Sequence, residues 1–190
     1  MDTASLQDRI ERLAVILRAE LRALASVHDL KLVQLEALRY LAEANRFSDT
    51  PAGVAEGLGL TRGTVSQTLR TLEKKGLITK IPDERDGRVV HCRLSATGQT
   101  LVDQSWPSGL LSSAIGTWPR EKVAETFQKV DVLLRAVQEG NGMRTFGVCH
   151  TCRNFETEGD KSFRCSLFEE SLTPVEMMLR CREHEPPDAA

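Results

Sequence analysis

Residues 60–98 read LTRGTVSQTLRTLEKKGLITKIPDERDGRVVHCRLSATG, and few folds accommodate that succession of capped helix, strand, charged turn and strand. Thr61 supplies a hydroxyl that can accept from the free amides of a first helical turn, and Val65, Leu69 and Leu72 follow at helical spacing as a buried stripe. The opposite side carries Arg62, Gly63, Thr64, Gln67, Thr68, Arg70, Thr71 and Lys74. These are mostly short, hydroxyl, amide or cationic side chains, whereas a merely solvated helix usually carries more carboxylates. Gly76 ends the helix where a left-handed cap is wanted, and residues 77–81 and 89–95 read as two short strands. Between them Pro82, Asp83, Asp86 and Gly87 favour a turn, with Arg85 and Arg88 near its tip. Helix plus basic hairpin reads as a winged helix-turn-helix.

Charge sharpens that reading. Residues 62–93 hold eight Lys or Arg against four acids, a net +4 in a chain whose total is −2, so the remainder stands at −6. Cations gathered in one segment displace counterions from nucleic-acid phosphates, while an acidic remainder limits indiscriminate binding. The implied partner is double-stranded DNA.

TVSQTLRTLEKKGLI followed by PDERDGRVVHCRLSATG resembles the DNA-binding core of MarR-type transcriptional regulators, whose wings carry an Asp-x-Arg pattern before a strand ending in Leu-Ser/Thr-x-x-Gly. The resemblance implies a repressor that works as a homodimer and sets two recognition helices in successive major grooves of a pseudo-palindrome, its wings in the neighbouring minor grooves. On that plan Thr64, Ser66, Gln67, Thr68 and Arg70 approach base edges and Arg62, Lys74 and Lys75 approach phosphates. Arg85 or Arg88 enters the minor groove, and Asp83 and Asp86 orient those arginines through charge-assisted hydrogen bonds.

The flanking helices suit the same plan. Leu6, Ile10, Leu13, Leu17, Leu21 and Leu24 predict a long amphipathic helix over 5–27, and Leu32, Leu35, Leu38 and Leu41 mark a second. Residues 51–60 are short, rich in small side chains and Gly-terminated, as the supporting helix of a helix-turn-helix is. Beyond the wing, a helical stretch runs from Ser95 to about Ser113, interrupted at Trp106-Pro107, and Pro119 opens a helix with Val123, Phe127, Val130, Leu133, Leu134 and Val137 inside. The expected fold class is mainly α (α+β): an N-terminal dimerisation helix over 1–31, a winged helix-turn-helix over 32–98, further dimerisation helices over 99–139 and a cysteine-rich lobe over 140–190. At 190 residues, 41% hydrophobic and 27% charged, the chain can bury a core, and no stretch reads as a membrane span or signal peptide. The expected location is cytoplasmic.

The lobe carries the second signal. Gly140-Asn141-Gly142 breaks the last helix, after which Cys149, Cys152, Cys165 and Cys181 follow in a Cys-x2-Cys-x12-Cys-x15-Cys pattern. In a reducing compartment four clustered thiols predict metal ligands, with free or redox-active thiols as the further alternative, rather than disulfides. Zinc and an iron-sulfur cluster both accept four thiolates, and solitary, widely spaced Cys165 and Cys181, separated by a helix predicted over 173–180, also suit the larger cluster. Phe146, Phe155, Phe163 and Phe168 would wall it off, and Arg144, Arg153, Arg164, Arg180 and Arg182 would offset its charge. His150 and His184 read as bystanders, the latter in an exposed tail, and Cys92 as a small apolar side chain facing inward from the wing. Two modes of control follow: an iron-sulfur cluster that modulates DNA binding, or a structural zinc in a repressor released by a small aromatic or phenolic effector. An enzyme is not expected, because four thiolates leave no open metal position and no paired carboxylates or nucleophile-base set accompanies them.

Overall fold

The computed structural model describes residues 2–140, 142, 145–159 and 162–187, Glu158 by its backbone alone. Asn141 and Arg144 lie outside the described residues. Asp2 starts the first helix, α1 (Thr3–Val27), by accepting from the Ser5 amide at 2.9 Å. Asp29, at φ 52°, turns the chain into α2 (Leu32–Glu43). Thr50 then caps α3 (Pro51–Leu58), whose end at Gly59 is left-handed, and Thr61 caps α4 (Arg62–Lys74) by accepting from the Thr64 amide at 3.2 Å. The supporting helix comes close to α2 because it lacks side chains where they meet: a Cβ at Gly57 would lie 2.3 Å from the Tyr40 ring. That ring stays anchored, its hydroxyl donating to the Ser48 carbonyl at 3.0 Å.

Leu35, Leu38, Val54, Val65, Leu69, Leu72 and Ile78 fill the centre of the winged domain, each fully buried. Burial of such a side chain contributes roughly 1.5–3 kcal/mol. The wing is an antiparallel pair, β1 (Ile78–Pro82) and β2 (Val90–Leu94), in register from Ile78 opposite Leu94 to Pro82 opposite Val90. Alternation along β2 turns Cys92 into the core, where burial raises its thiol to about 11. Ser95 caps α5 (Ala96–Ser105), which ends at a cis Trp106-Pro107 bond before α6 (Gly109–Ile115) and α7 (Arg120–Gly140). No helix among the described residues is long and apolar enough to cross a membrane.

Along α7 Phe127, Val130, Leu134 and Val137 are exposed in the single chain. Two expectations differ from the structure. Residues 173–180 form no continuous helix; only Glu176–Met178 makes a 3-10 turn. The Arg180 amide donates instead to the Glu43 carbonyl at 2.7 Å and its carbonyl accepts from Asn45 at 2.9 Å, which draws this segment out of helical pairing. His184, finally, is buried: the Thr145 and Thr151 hydroxyls hold its two ring nitrogens at 2.8 and 3.0 Å, and Gly147 lies flat against the ring.

The lobe consists of a 3-10 turn at Cys149–Thr151 and a three-stranded antiparallel meander, β3 (Phe155–Glu158), β4 (Ser162–Cys165) and β5 (Glu170–Leu172). Its own buried apolar set is Cys149, Leu172 and Cys181, with Phe47, Phe155, Phe163 and Cys165 packed around them. So small a core rests on the winged domain for support.

Candidate nucleic-acid interface and the thiol pocket

Helical periodicity decides which side chains α4 presents. Val65, Leu69 and Leu72 face inward, and Arg62, Thr64, Ser66, Gln67, Arg70 and Lys74 are exposed. Thr68 departs from the sequence reading: adjacent to Leu69 on the inward edge, it is buried and leaves the shared polar face. Lys75 is exposed but engaged, its Nζ lying 2.6 Å from the Asp29 carboxylate and 2.5 Å from the Asp29 carbonyl, so that it closes the turn after α1. That hydrogen bond holds the Asp29 carboxyl below the usual range.

The wing tip is a turn built by its two aspartates. Asp83 accepts from the Arg85 and Asp86 amides at 2.8 and 2.7 Å, and its other oxygen faces His91 Nε2 at 3.1 Å. These bonds, the Asp86 amide first, pull its carboxyl down to about 2. Asp83 therefore shapes the turn and binds a histidine, and orients no arginine side chain. Asp86 does orient one: its carboxylate accepts from Arg88 Nε at 3.0 Å and Nη2 at 3.2 Å, while the Arg88 side chain remains 91% exposed. Arg85 reaches away from the tip to an ion pair with Glu170 in the lobe.

His91 joins this turn to the helix-turn-helix, its Nδ1 lying 2.5 Å from Asp49 just ahead of α3. Burial alone would lower the imidazole, but the hydrogen bonds to Asp49 and Asp83 outweigh it and raise its pKa. At Asp49 burial wins over the same partner and raises the carboxyl. Arg62 from α4, Arg85 and Arg88 from the wing tip and Arg93 from β2 line one broad groove, joined by Arg182 of the lobe and by Glu84, Glu170 and Glu183.

On the other side of Phe47, a small pocket is lined by all four lobe cysteines together with Phe155, Phe168, Leu167 and Leu172. None of the thiols is in a disulfide. Asn45, completely buried, donates from Nδ2 to Cys149 Sγ at 3.1 Å, and the Glu185 amide donates to Cys152 Sγ at 3.4 Å. Cys149 and Cys181 share a hydrogen bond that pulls the Cys181 thiol down and pushes the Cys149 thiol up. Among the described residues no three His, Cys, Asp or Glu side chains stand gathered as the shell of a metal ion. Of the expected aromatic wall, Phe168 stacks on Phe47 at 4.0 Å and Phe163 on Phe155 at 5.7 Å, whereas Phe146 packs edge-on against Tyr40 in the main core. Arg153, Arg180 and Arg182 form ion pairs with Glu185, Glu43 and Glu56 around the lobe's margin.

Residues 28–89 match the model of the MarR family. The chain has the MarR-type winged-helix fold. A MarR family protein from Bacillus stearothermophilus is similar over 73% of this chain and 99% of its own, with a TM-score of 0.61 and 19% identity. The S. aureus MepR structure, a complex with DNA, is similar over 72% of this chain and 98% of its own, at TM-score 0.56 and 22% identity. Streptococcus pneumoniae FabT, also in complex with DNA, gives 0.54 and 23% over 72% of this chain and 94% of its own. No match is found among curated proteins.

Several residues of this MarR-type framework escape sequence reasoning. Asn45, Arg46, Asp49 and His91 hold the wing and the lobe to the helix-turn-helix, and Glu170 reaches Arg85 across 85 positions of sequence. The polar run NRFSDT between two apolar helices marks the first three as unusual; Glu170 leaves no such mark.

Proposed function

We propose that this chain is a DNA-binding transcriptional regulator that acts on a pseudo-palindromic duplex as a homodimer. The observation that carries the reading is the convergence of Arg62, at the start of α4, with Arg88, held out by Asp86 at the wing tip, on one groove. Thr64, Ser66, Gln67 and Arg70 of the exposed face of α4 read base edges, and Arg62 and Lys74 meet phosphates. Arg88 serves the minor groove. The exposed apolar faces of α1 and α7, including Ile10, Leu13, Phe127 and Leu134, are covered by the second copy, which spaces the half-sites about one helical turn apart. The two DNA complexes among the similar structures support the same use of the fold. The C-terminal lobe modulates this activity through an iron-sulfur cluster held by its four cysteines.

Duplex titrations over a range of salt test the reading. Arg88→Ala is expected to weaken binding at most sequences and to reduce the salt slope by about one ion. Gln67→Ala is expected to cost about 1–3 kcal/mol at one base pair and little on random DNA. An unchanged slope removes Arg88 from the interface, and equal losses on specific and random duplexes remove Gln67 from base recognition.

A further inference from the structure

Three separate segments bring the lobe's thiols to the lining of one pocket: Cys149 and Cys152 from the first 3-10 turn, Cys165 from the end of β4, and Cys181 from the segment paired with α2. The remaining walls are mainly apolar, with Asn154 and Glu183 among them, and two of the sulfurs receive N–H donors at 3.1 and 3.4 Å. Apolar shielding and N–H donation to sulfur are the surroundings in which thiolate-bound iron-sulfur cores are held and tuned. We propose that Cys149, Cys152, Cys165 and Cys181 ligate one iron-sulfur cluster in this pocket, and that the loaded lobe restrains the wing by holding Arg85 on Glu170.

Zinc and an iron-sulfur core both accept four thiolates from separate segments, and iron and sulfide content separates the two. The lobe's small buried set gives the cluster a second task as its staple. Pocket and wing communicate through one short segment. Asn45 donates to Cys149, Phe47 forms the pocket wall, and Arg46 between them lies 3.8 Å from Glu170 and 3.3 Å from Glu176. Glu170 begins β5, five positions after Cys165, and its other oxygen binds Arg85. A carboxylate there competes with phosphate for the same guanidinium. Loading therefore weakens DNA binding, and an emptied lobe, no longer fixing β4 and β5, frees Arg85. This second half rests on the regulator reading; the cluster does not.

Anaerobic purification of the full chain is expected to give a coloured protein with iron and acid-labile sulfide in equal amounts, both lost in Cys165→Ser. Because that variant can also unfold, the cluster is removed from the unaltered chain by chelation and rebuilt with ferrous iron and sulfide. Zinc in place of iron overturns the cluster. On a duplex selected from a random pool, removal should tighten binding by about fivefold, the upper end for an exposed ion pair. Glu170→Gln should reproduce that gain in the loaded chain and abolish any further response. Unchanged affinity on removal, or a Glu170→Gln chain that still responds, overturns the latch. If neither form binds duplex DNA in a salt-dependent way, the regulator reading and the latch fall together, and the iron and sulfide content still decides the cluster.

Discussion

His91 links three parts of the molecule through one ring: β2, which carries it, Asp49 ahead of α3, and Asp83 in the wing turn. Its pKa is raised in the folded protein, so folding is favoured by the protonated form. The resulting stability is fully present below the ordinary histidine value of 6.5 and is lost as pH rises through the raised one. The melting-temperature gap between the native chain and His91→Gln should shrink as pH rises from about 6 to about 8. A gap that stays constant would mean that folding leaves the His91 pKa unchanged. Asp83 runs the other way: its contribution is present above 3.8 and lost as pH falls through about 2. That Gln67 lies on the exposed face of α4 and Arg88 at the wing tip was legible from spacing and turn residues alone. The partners of His91 were not, since Asp49 stands 42 positions away.

Helix α4 shows how far periodicity carries at the scale of an element. Its start at Thr61, its end before Gly76 and its inward stripe follow from capping and spacing. Only the edge of the stripe is decided by packing, and there Thr68 turned inward. Leu69→Ala, at a site 1% exposed, should destabilise the winged domain by about 2–5 kcal/mol in denaturant unfolding. A cost below about 1 kcal/mol would place Leu69 outside the core. Residues 173–180 mark the opposite case. Their local pattern suits a helix, with Pro174 in its first turn, but the Glu43 carbonyl and Asn45 amide compete for the Arg180 backbone, and tertiary pairing prevails.

At the scale of the whole molecule, apolar surface on α1 and α7 is the dominant unmet requirement. Phe127 is 67% exposed and Leu13 52%, on helices whose stripes are regular enough to serve a core. On the proposed reading a second copy of the chain covers this surface. Phe127→Glu should shift the chain toward monomer in sedimentation and reduce the salt slope of DNA binding by about half, since one half-site contributes half of the phosphate contacts. A variant that remains dimeric would exclude the α7 face from the interface.

Sequence alone determined what depends on neighbours in the chain: the caps, the helical stripes, the turn that lifts Arg88, and a Cys-x2-Cys pair with two distant thiols. Tertiary structure decided what depends on meeting across the chain. It brought the four thiols to the lining of one pocket, buried His184, set His91 between two carboxylates and led Arg85 to Glu170. Local pattern encodes the conformation of a segment and the face it buries; which partner it meets there is fixed only when the competing hydrogen bonds and packing of the folded chain are resolved together.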